Sequence, residues 1–260
     1  YLLIIRNLLL LCNFLSDDVS ACTSEKVFTS AWQCRKVGSK KWMSAQVPGT
    51  VHTDLMRNKI IPDPFYRDNE SKVYWVSEVD WEYRCRFMFK DTVYHFLVFE
   101  GLDTYADVYV NGKFVLHANN MFRTWKISMK KCKLNATNEL RIVFHSPLKI
   151  ADSLAKQHQP LHRPCENNRH YIRKAQYHYG WDWAPNLPTC GIWKPIKWAT
   201  DDSIQQTKSS PVKVMLRKEK DAIGEAFYFT VDGKPTFMKG ANWIPADVFL
   251  PRIGKQKYRN

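Results

Sequence analysis

The stretch ADVYVNGKFVLHA, residues 106–118, constrains the fold more than any other part of this chain. Two runs with the composition of β-strands flank Asn111-Gly112, the residue pair that a type I′ turn prefers. A tight turn of this kind joins two neighbouring antiparallel strands. The sequence therefore predicts an antiparallel sheet that contains a hairpin centred on Asn111-Gly112.

Further runs with strand composition surround this hairpin. In WEYRCRFMF, residues 81–89, apolar residues alternate with charged ones, which is typical of a half-buried strand. The runs YHFLVFEGL, FRTWKISM, ELRIVFHSP and WKPIKWAT add four more candidate strands. Aromatic residues, which favour strands, make up 14% of the chain. Many short strands with frequent turns predict a mainly β protein built around an antiparallel sandwich.

Two short helices and a second hairpin complete the local predictions. Thr50 follows the turn Pro48-Gly49 and is placed to cap a helix over residues 51–57. Another short helix is expected around residues 150–156, at the start of a polar loop over residues 151–170. The pair Asp232-Gly233 predicts a second hairpin, and VKVMLR, residues 212–217, predicts an isolated strand before it.

The formal net charge of +14 raises the question of a nucleic-acid partner. The lysines and arginines are scattered, with only short basic runs, and no helix-turn-helix, zinc-finger or RNA-binding signature occurs. We therefore interpret the charge as a solvated surface and expect no nucleic-acid partner. A basic nucleic-acid binder remains an alternative, and it would show steeply salt-dependent retention on DNA.

The N-terminal residues predict entry into the secretory pathway. Residues 2–15, LLIIRNLLLLCNFL, are too short to span a bilayer and are typical of the apolar part of a signal peptide. We interpret residues 1–21 as a signal peptide-like leader and expect no stable membrane anchor, with a buried helix as the alternative. The sequons at Asn69 and Asn135 predict glycosylation and fit that compartment.

Seven cysteines occur, and none forms a CxxC pair. This spacing gives no support to a zinc site or a thioredoxin-like motif. We expect neither a metal nor another cofactor. Disulfides are compatible with a secretory compartment, but the sequence leaves their pairing open.

The stretch YHYGWDWAPNLPTCGIWKP, residues 177–195, is the strongest candidate for a binding site. Asp182 stands between Trp181 and Trp183. A carboxylate accepts hydrogen bonds from adjacent sugar hydroxyls, and an aromatic face covers the apolar C–H patches of a sugar ring. The alternative is that both indoles fill the core of the sandwich while Asp182 organises the turn before Pro185. Weaker candidates are Arg173, His178 and Trp193.

Three motifs of this chain resemble the β-mannosidases of glycoside hydrolase family 2, in the order in which that family has them. They are VPGTVHTDL…IIPDPFYRDNE over residues 47–70, GWDWAPNLPTCGIWKPI over residues 180–196 and GANWIPADVF over residues 240–249. The resemblance implies an N-terminal jelly-roll, galactose-binding-like domain over residues 22–200. It also implies a following immunoglobulin-like domain and a (β/α)8 catalytic barrel.

The same resemblance implies an activity and a set of substrate contacts. The activity is hydrolysis of terminal, non-reducing β-D-mannose from oligosaccharides, which serves N-glycan breakdown in the lysosome; secretion is the alternative destination. The implied partner is a mannose-containing oligosaccharide. Trp181, Asp182 and Trp183 match the substrate-contacting part of the N-terminal domain. Asn242 matches a substrate-contacting asparagine at the first barrel strand, and its alternative role is that of a turn residue.

The sequence also departs from that family. A retaining glycosidase needs an acid/base and a nucleophile, carboxylates about 5–5.5 Å apart. The family's glutamate motif has no counterpart here, so we assign no catalytic residue and expect the chain alone to be inactive.

An immunoglobulin-like domain needs about 100 residues and a barrel about 250. We therefore expect residues 201–226 to be a linker with a remnant of an immunoglobulin-like domain. Within it, the strand VKVMLR is expected to have no neighbouring strand to pair with. Residues 227–260 are expected to be the start of a truncated barrel. The alternative function is a non-catalytic carbohydrate-binding β-sandwich module.

Overall fold

The computed structural model describes residues 25–89, 94–158, 166–200, 212–220 and 222–259. The leader predicted for residues 1–21 lies outside the described residues. The strands are β1 (Lys26–Val27), β2 (Trp32–Lys36), β3 (Met43–Ala45), β4 (Trp81–Phe87), β5 (Phe96–Phe99), β6 (Tyr105–Val110), β7 (Lys113–Asn119), β8 (Trp125–Ser128), β9 (Asn138–Phe144), β10 (Tyr179–Trp181), β11 (Ala184–Asn186), β12 (Ile196–Ala199), β13 (Val214–Lys220), β14 (Glu225–Val231) and β15 (Lys234–Thr236). The α-helices are α1 (Val51–Arg57), α2 (Asn69–Val73), α3 (Pro147–Gln157) and α4 (Lys255–Arg259).

Two antiparallel sheets form the main body of the fold, as the sequence predicts. One sheet has six strands in the order β3-β2-β4-β9-β6-β7, and the other has four in the order β1-β12-β5-β8. Residues from both sheets belong to one buried apolar cluster, which includes Trp32, Tyr83 and Leu140 from the first sheet and Leu97, Phe99 and Ile196 from the second. Burial of each such side chain contributes about 1.5–3 kcal/mol. This core holds the two sheets together, and the surface loops connect their strands.

The local signals of the sequence account for most of these elements. Asn111 and Gly112 join β6 to β7 with positive φ angles of 50° and 77°, as a type I′ turn requires. In β4 the aromatic residues face the core, and Arg84 and Arg86 lie on the outer face. Glu82 is also buried, because its carboxylate pairs with Arg35 at 2.7 Å and with Arg141 at 3.4 Å.

The two predicted helices are confirmed, one of them with a shifted start. The backbone N–H of Thr50 donates to Thr53 Oγ1 at 3.2 Å at the start of α1. The helix α3 begins at Pro147 instead of residue 150, since proline suits the first turn of a helix. Ser146 Oγ accepts from the backbone N–H of Lys149 at 3.3 Å and caps this end.

The prediction that VKVMLR lacks partners is wrong. The strand β13 pairs with β14 along its whole length, from Val214 opposite Val231 to Lys220 opposite Glu225. The hairpin predicted at Asp232-Gly233 is confirmed and joins β14 to β15. These three strands form one sheet, and the expected division between residues 226 and 227 falls inside β14. Unpaired edges of a lone strand are costly, and this pairing removes one of them.

Residues 237–249 form neither a helix nor a strand in this structure. Asn242 therefore lies in an irregular segment, whereas the family resemblance places it at a barrel strand. Among the described residues, no helix is both long enough and apolar enough to cross a membrane.

Candidate functional site

The residues 182 and 183 form the tip of a small hairpin. Trp181 on β10 pairs with Ala184 on β11, so that only Asp182 and Trp183 remain for the turn. Trp181 is 53% exposed and Trp183 is 37% exposed, and Asp182 is exposed between them. The alternative in which both indoles fill the sandwich core is therefore wrong. The carboxylate of Asp182 is open to solvent and to a ligand.

An open groove runs beside this hairpin and has a cavity volume of about 630 Å³. That volume lies within the range of about 300–1,000 Å³ that is usual for small-molecule sites. Its lining consists of Glu70, Glu166, Arg169, Tyr179, Gly180, Trp181, Asp182, Ala184, Pro185 and Asn186. Among the described residues, nothing donates a hydrogen bond to the Asp182 carboxylate. The carboxylate is therefore available to accept hydrogen bonds from a bound molecule.

The two indoles have different surroundings. Trp181 lines the groove, and the guanidinium carbon of Arg169 lies 5.3 Å from the centre of its ring. Trp183 does not line the groove; its ring centre lies 5.3 Å from that of Tyr177. The structure thus brings Trp181 and Asp182 together in one site and leaves Trp183 outside the groove lining, beside Tyr177.

Contacts from distant parts of the chain hold the hairpin. The backbone N–H of Asn186 donates to Glu70 Oε1 at 2.8 Å. Arg169 Nη1 donates to the backbone oxygen of Gly180 at 3.1 Å. Gly180 has a φ of +87°, a conformation that other residues rarely adopt. Sequence reasoning missed Glu70 and Arg169, because neither lies next to the Trp-rich stretch in the sequence.

A buried polar network lies at the base of the hairpin. Lys174 Nζ contacts both carboxylate oxygens of Asp103 at 2.5 Å and donates to the backbone oxygen of Thr189 at 2.7 Å. Burial lowers the pKa of Lys174, and the nearby Asp103 carboxylate acts in the opposite direction. These contacts join three segments of the chain, those that carry Asp103, Lys174 and Thr189.

The weaker candidates of the sequence analysis have structural contacts outside the groove. His178 is buried, and its Nε2–H donates to the backbone oxygen of Val248 at 3.1 Å. Burial lowers the pKa of His178, so the ring is neutral near pH 7. The indole N–H of Trp193 donates to the backbone oxygen of Met121 at 2.9 Å. Arg173 is exposed and does not line the groove.

The motif GANWIPADVF reaches the sandwich through its last two residues. Val248 and Phe249 are buried, and the ring of Phe249 stacks on that of His52 with centres 5.5 Å apart. Asn242 is exposed and is not among the residues that line the groove. The structure therefore does not bring Asn242 into one site with Asp182.

The two sequons occupy different environments. Asn135 is exposed in the loop before β9. Asn69 begins α2 and is half-buried, and its side-chain nitrogen donates to the backbone oxygen of Asp63 at 2.9 Å. Asn135 is therefore the more accessible of the two predicted acceptors.

Comparison with known proteins places this geometry in a family. The family model described as the glycosyl hydrolase 2 galactose-binding domain-like family matches residues 32–194. The chain belongs to this family. A glycosyl hydrolase 2 domain of this kind is the galactose-binding-like sandwich that the sequence predicts, and the match spans the strands from β2 to β11, including the Trp-rich hairpin.

Two relatives of this glycosyl hydrolase 2 chain illustrate the similarity. A "Beta-mannosidase B" from Thermothelomyces thermophilus is 36% identical over 220 residues, which cover 78% of this chain and 26% of that protein. A "Beta-mannosidase B" from Emericella nidulans is 39% identical over 187 residues, which cover 67% of this chain and 22% of that protein. This chain thus spans about a quarter of the length of the curated relatives it matches.

The structure comparison agrees with the sequence comparison. The crystal structure of a β-D-mannosidase from Dictyoglomus thermophilum matches with a TM-score of 0.75 and 30% identity, covering 91% of this chain and 42% of that chain. A glycoside hydrolase fold of the β-mannosidase type is therefore supported by both comparisons.

Proposed function

We propose that this chain forms the mannose-binding wall of a β-mannosidase. In this proposal Asp182 and Trp181 hold the terminal β-D-mannosyl unit of an oligosaccharide. The observation that carries it is the exposure of the Asp182 carboxylate at the tip of the hairpin, beside an exposed indole and inside an open groove. The names of the relatives support the choice of mannose as the sugar.

The chemistry of the groove suits a sugar. The Asp182 carboxylate has room to accept hydrogen bonds from two adjacent hydroxyls, and hydrogen bonds to a charged group contribute about 1.5–3 kcal/mol each. The ring of Trp181 supplies an apolar face for the C–H side of the sugar. Glu70, Glu166 and Arg169 add acceptors and donors along the groove.

In this proposal the chain binds a mannoside without cleaving it. Cleavage with retention needs two carboxylates about 5–5.5 Å apart, and the family's glutamate motif has no counterpart among the 260 residues. A chromogenic β-mannoside separates the two steps. We expect no release of the chromophore by the purified chain. Release that is abolished by a β-mannosidase inhibitor would contradict this part of the proposal.

The two indoles provide an internal comparison for binding. We expect Trp181→Ala to weaken the binding of methyl β-D-mannopyranoside by roughly tenfold, since each 1.4 kcal/mol is a factor of ten. Trp183→Ala changes an indole that does not line the groove, and it is expected to change the dissociation constant by less than about threefold. NMR titration of the indole signals measures both. Equal losses in the two variants would contradict the assignment of the groove as the sugar site.

The setting that we propose is the lysosome, where the protein would take part in the breakdown of N-glycans. The apolar run of residues 2–15 and the exposed Asn135 support this setting. A glycan on Asn135 would be detected as a mass shift that is removed by a peptide N-glycosidase. Expression with a C-terminal tag, followed by microscopy with a lysosomal marker, tests the location.

A further inference from the structure

We infer that Arg169 and Glu70 are positioning residues that brace the Asp182 hairpin, Arg169 through the strand β10 and Glu70 through the strand β11. This inference rests on the proposed function, because the braced hairpin is the one that would hold the sugar. The hairpin has only three residues in each strand. An isolated two-stranded hairpin is marginally stable in water, so outside contacts are needed to hold Asp182 in one place.

Arg169 braces the strand β10. Its Nη1 donates to the backbone oxygen of Gly180 at 3.1 Å, and its guanidinium lies over the ring of Trp181 at 5.3 Å from the ring centre. Gly180 has no side chain of its own to pack against the sandwich. The arginine therefore fixes both the path of the backbone before Asp182 and the orientation of the indole beside it.

Glu70 braces the strand β11. Its Oε1 accepts a hydrogen bond from the backbone N–H of Asn186 at 2.8 Å, across a separation of 116 residues. Asn186 is the residue that pairs with Tyr179 at the open end of the hairpin. A hydrogen bond from an N–H to a carboxylate is short and strong. Glu70 lies in the first turn of α2, whose Val73 is buried in the core, so the brace has a firm support.

Contacts of the two preceding residues hold the segment that carries Arg169. The two residues before it, Asn167 and Asn168, have positive φ angles of 57° and 50°. Asn168 Nδ2 donates to Asp152 of α3 at 2.9 Å, and the Asn167 side-chain oxygen accepts from the hydroxyl of Tyr74 at 3.4 Å. These contacts tie the segment of Arg169 to the helix α3 and to Tyr74, the residue that follows α2. Arg169 and Glu70 therefore link the hairpin to the rest of the fold and restrict its motion.

The test compares Arg169→Ala and Glu70→Ala in the full chain. The first measurement is hydrogen exchange of the amides between Tyr179 and Asn186 without sugar. The second is the dissociation constant of methyl β-D-mannopyranoside, and the third is the melting temperature. We expect faster exchange in the hairpin, unchanged exchange in β4 and β9, and sugar binding weakened by about tenfold. The melting temperature is expected to stay within about 2 °C of the parent chain.

Two control variants match these changes. Arg123→Ala removes an arginine whose guanidinium lies 5.0 Å from the ring centre of Trp125, a contact of the same kind away from the groove. Glu78→Ala removes an exposed glutamate that does not line the groove. Both are expected to leave hairpin exchange and sugar affinity unchanged. Glu70→Gln keeps an acceptor for Asn186 and is expected to restore most of the protection that Glu70→Ala loses.

The outcomes separate this inference from the proposed function. Unchanged hairpin exchange in both alanine variants would overturn the bracing role. Exchange that rises equally in β4, β9 and the hairpin would also overturn it, because it would show a general loss of stability. A hairpin that loosens in the variants, in a parent chain that binds no mannoside at all, would support the bracing role and contradict the sugar site.

Discussion

At the scale of single residues, Asp182 differs from two buried acidic residues in its surroundings. Asp103 and Glu82 are buried and are neutralised by cationic partners, Lys174 in one case and Arg35 with Arg141 in the other. Asp182 is exposed, and nothing among the described residues donates to its carboxylate. A buried carboxylate requires a partner. An exposed one at the tip of a braced hairpin does not, and it is therefore available for a ligand.

The buried pair of Lys174 and Asp103 gives a stability prediction. Replacing Lys174 by Met leaves the Asp103 carboxylate buried without its cation. Removing one partner of a buried pair costs about 3–5 kcal/mol. We expect the free energy of unfolding in urea to fall by that amount. A loss below about 1 kcal/mol, the usual value of an exposed pair, would contradict the buried geometry.

His145 gives a prediction about pH. Its ring contacts Asp107 at 2.9 Å and Asp80 at 3.4 Å, and the hydrogen bond with Asp80, more than any other contact, raises its pKa from 6.5 to about 9. Because the folded pKa is the higher one, the stabilisation is complete below about pH 6.5 and is lost as the pH rises to about 9.

Unfolding in urea at several pH values measures this effect. We expect His145→Gln to remove the part of the stability decrease that the parent chain shows between these two pH values. An identical pH dependence in both proteins would contradict a charged His145. His117 also contacts Asp107, at 2.7 Å. The variant His117→Gln is therefore the control that separates the effect of His145 from that of the other histidine on the same carboxylate.

At the scale of elements, the segment before α4 is attached to the sandwich by a small apolar contact. Phe249 is fully buried against His52 and Phe65, and the backbone of Val248 accepts from His178, the residue just before β10. We expect Phe249→Ala to cost about 3–5 kcal/mol in the free energy of unfolding. Trp243→Ala, a change of an exposed residue in the same motif, should cost less than about 0.5 kcal/mol. Similar losses for the two variants would contradict this docking.

The elements also show which features the sequence predicts. Asn111-Gly112, the alternation of β4 and the Thr50 cap are local signals, and each predicted element is present. The pairing of β13 with β14 was not predicted, because the pairing partner of a strand is not a local property. The same reason applies to Glu70 and Arg169. They reach the Asp182 hairpin from elsewhere in the chain, and no spacing rule connects them with the Trp-rich motif.

At the scale of the whole molecule, the chain contains a glycosyl hydrolase 2 galactose-binding-like sandwich. An open groove on its surface is lined by the exposed carboxylate of Asp182. The motifs around residues 180 and 245 predict the family, but their spacing does not predict that Trp181 lines the groove while Trp183 packs beside Tyr177. That division follows from the two-residue turn, which only the pairing of β10 with β11 reveals.

The central claim is that the Asp182 carboxylate accepts hydrogen bonds from a mannosyl unit. The most direct measurement is a calorimetric or NMR titration of methyl β-D-mannopyranoside into the parent chain, Asp182→Asn and the control Asp63→Asn, whose exposed side chain accepts from the backbone N–H of Phe65. We predict binding by the parent chain and the control, and a loss of about tenfold or more in Asp182→Asn. Equal affinity in all three proteins, or no binding by the parent chain, would contradict the account.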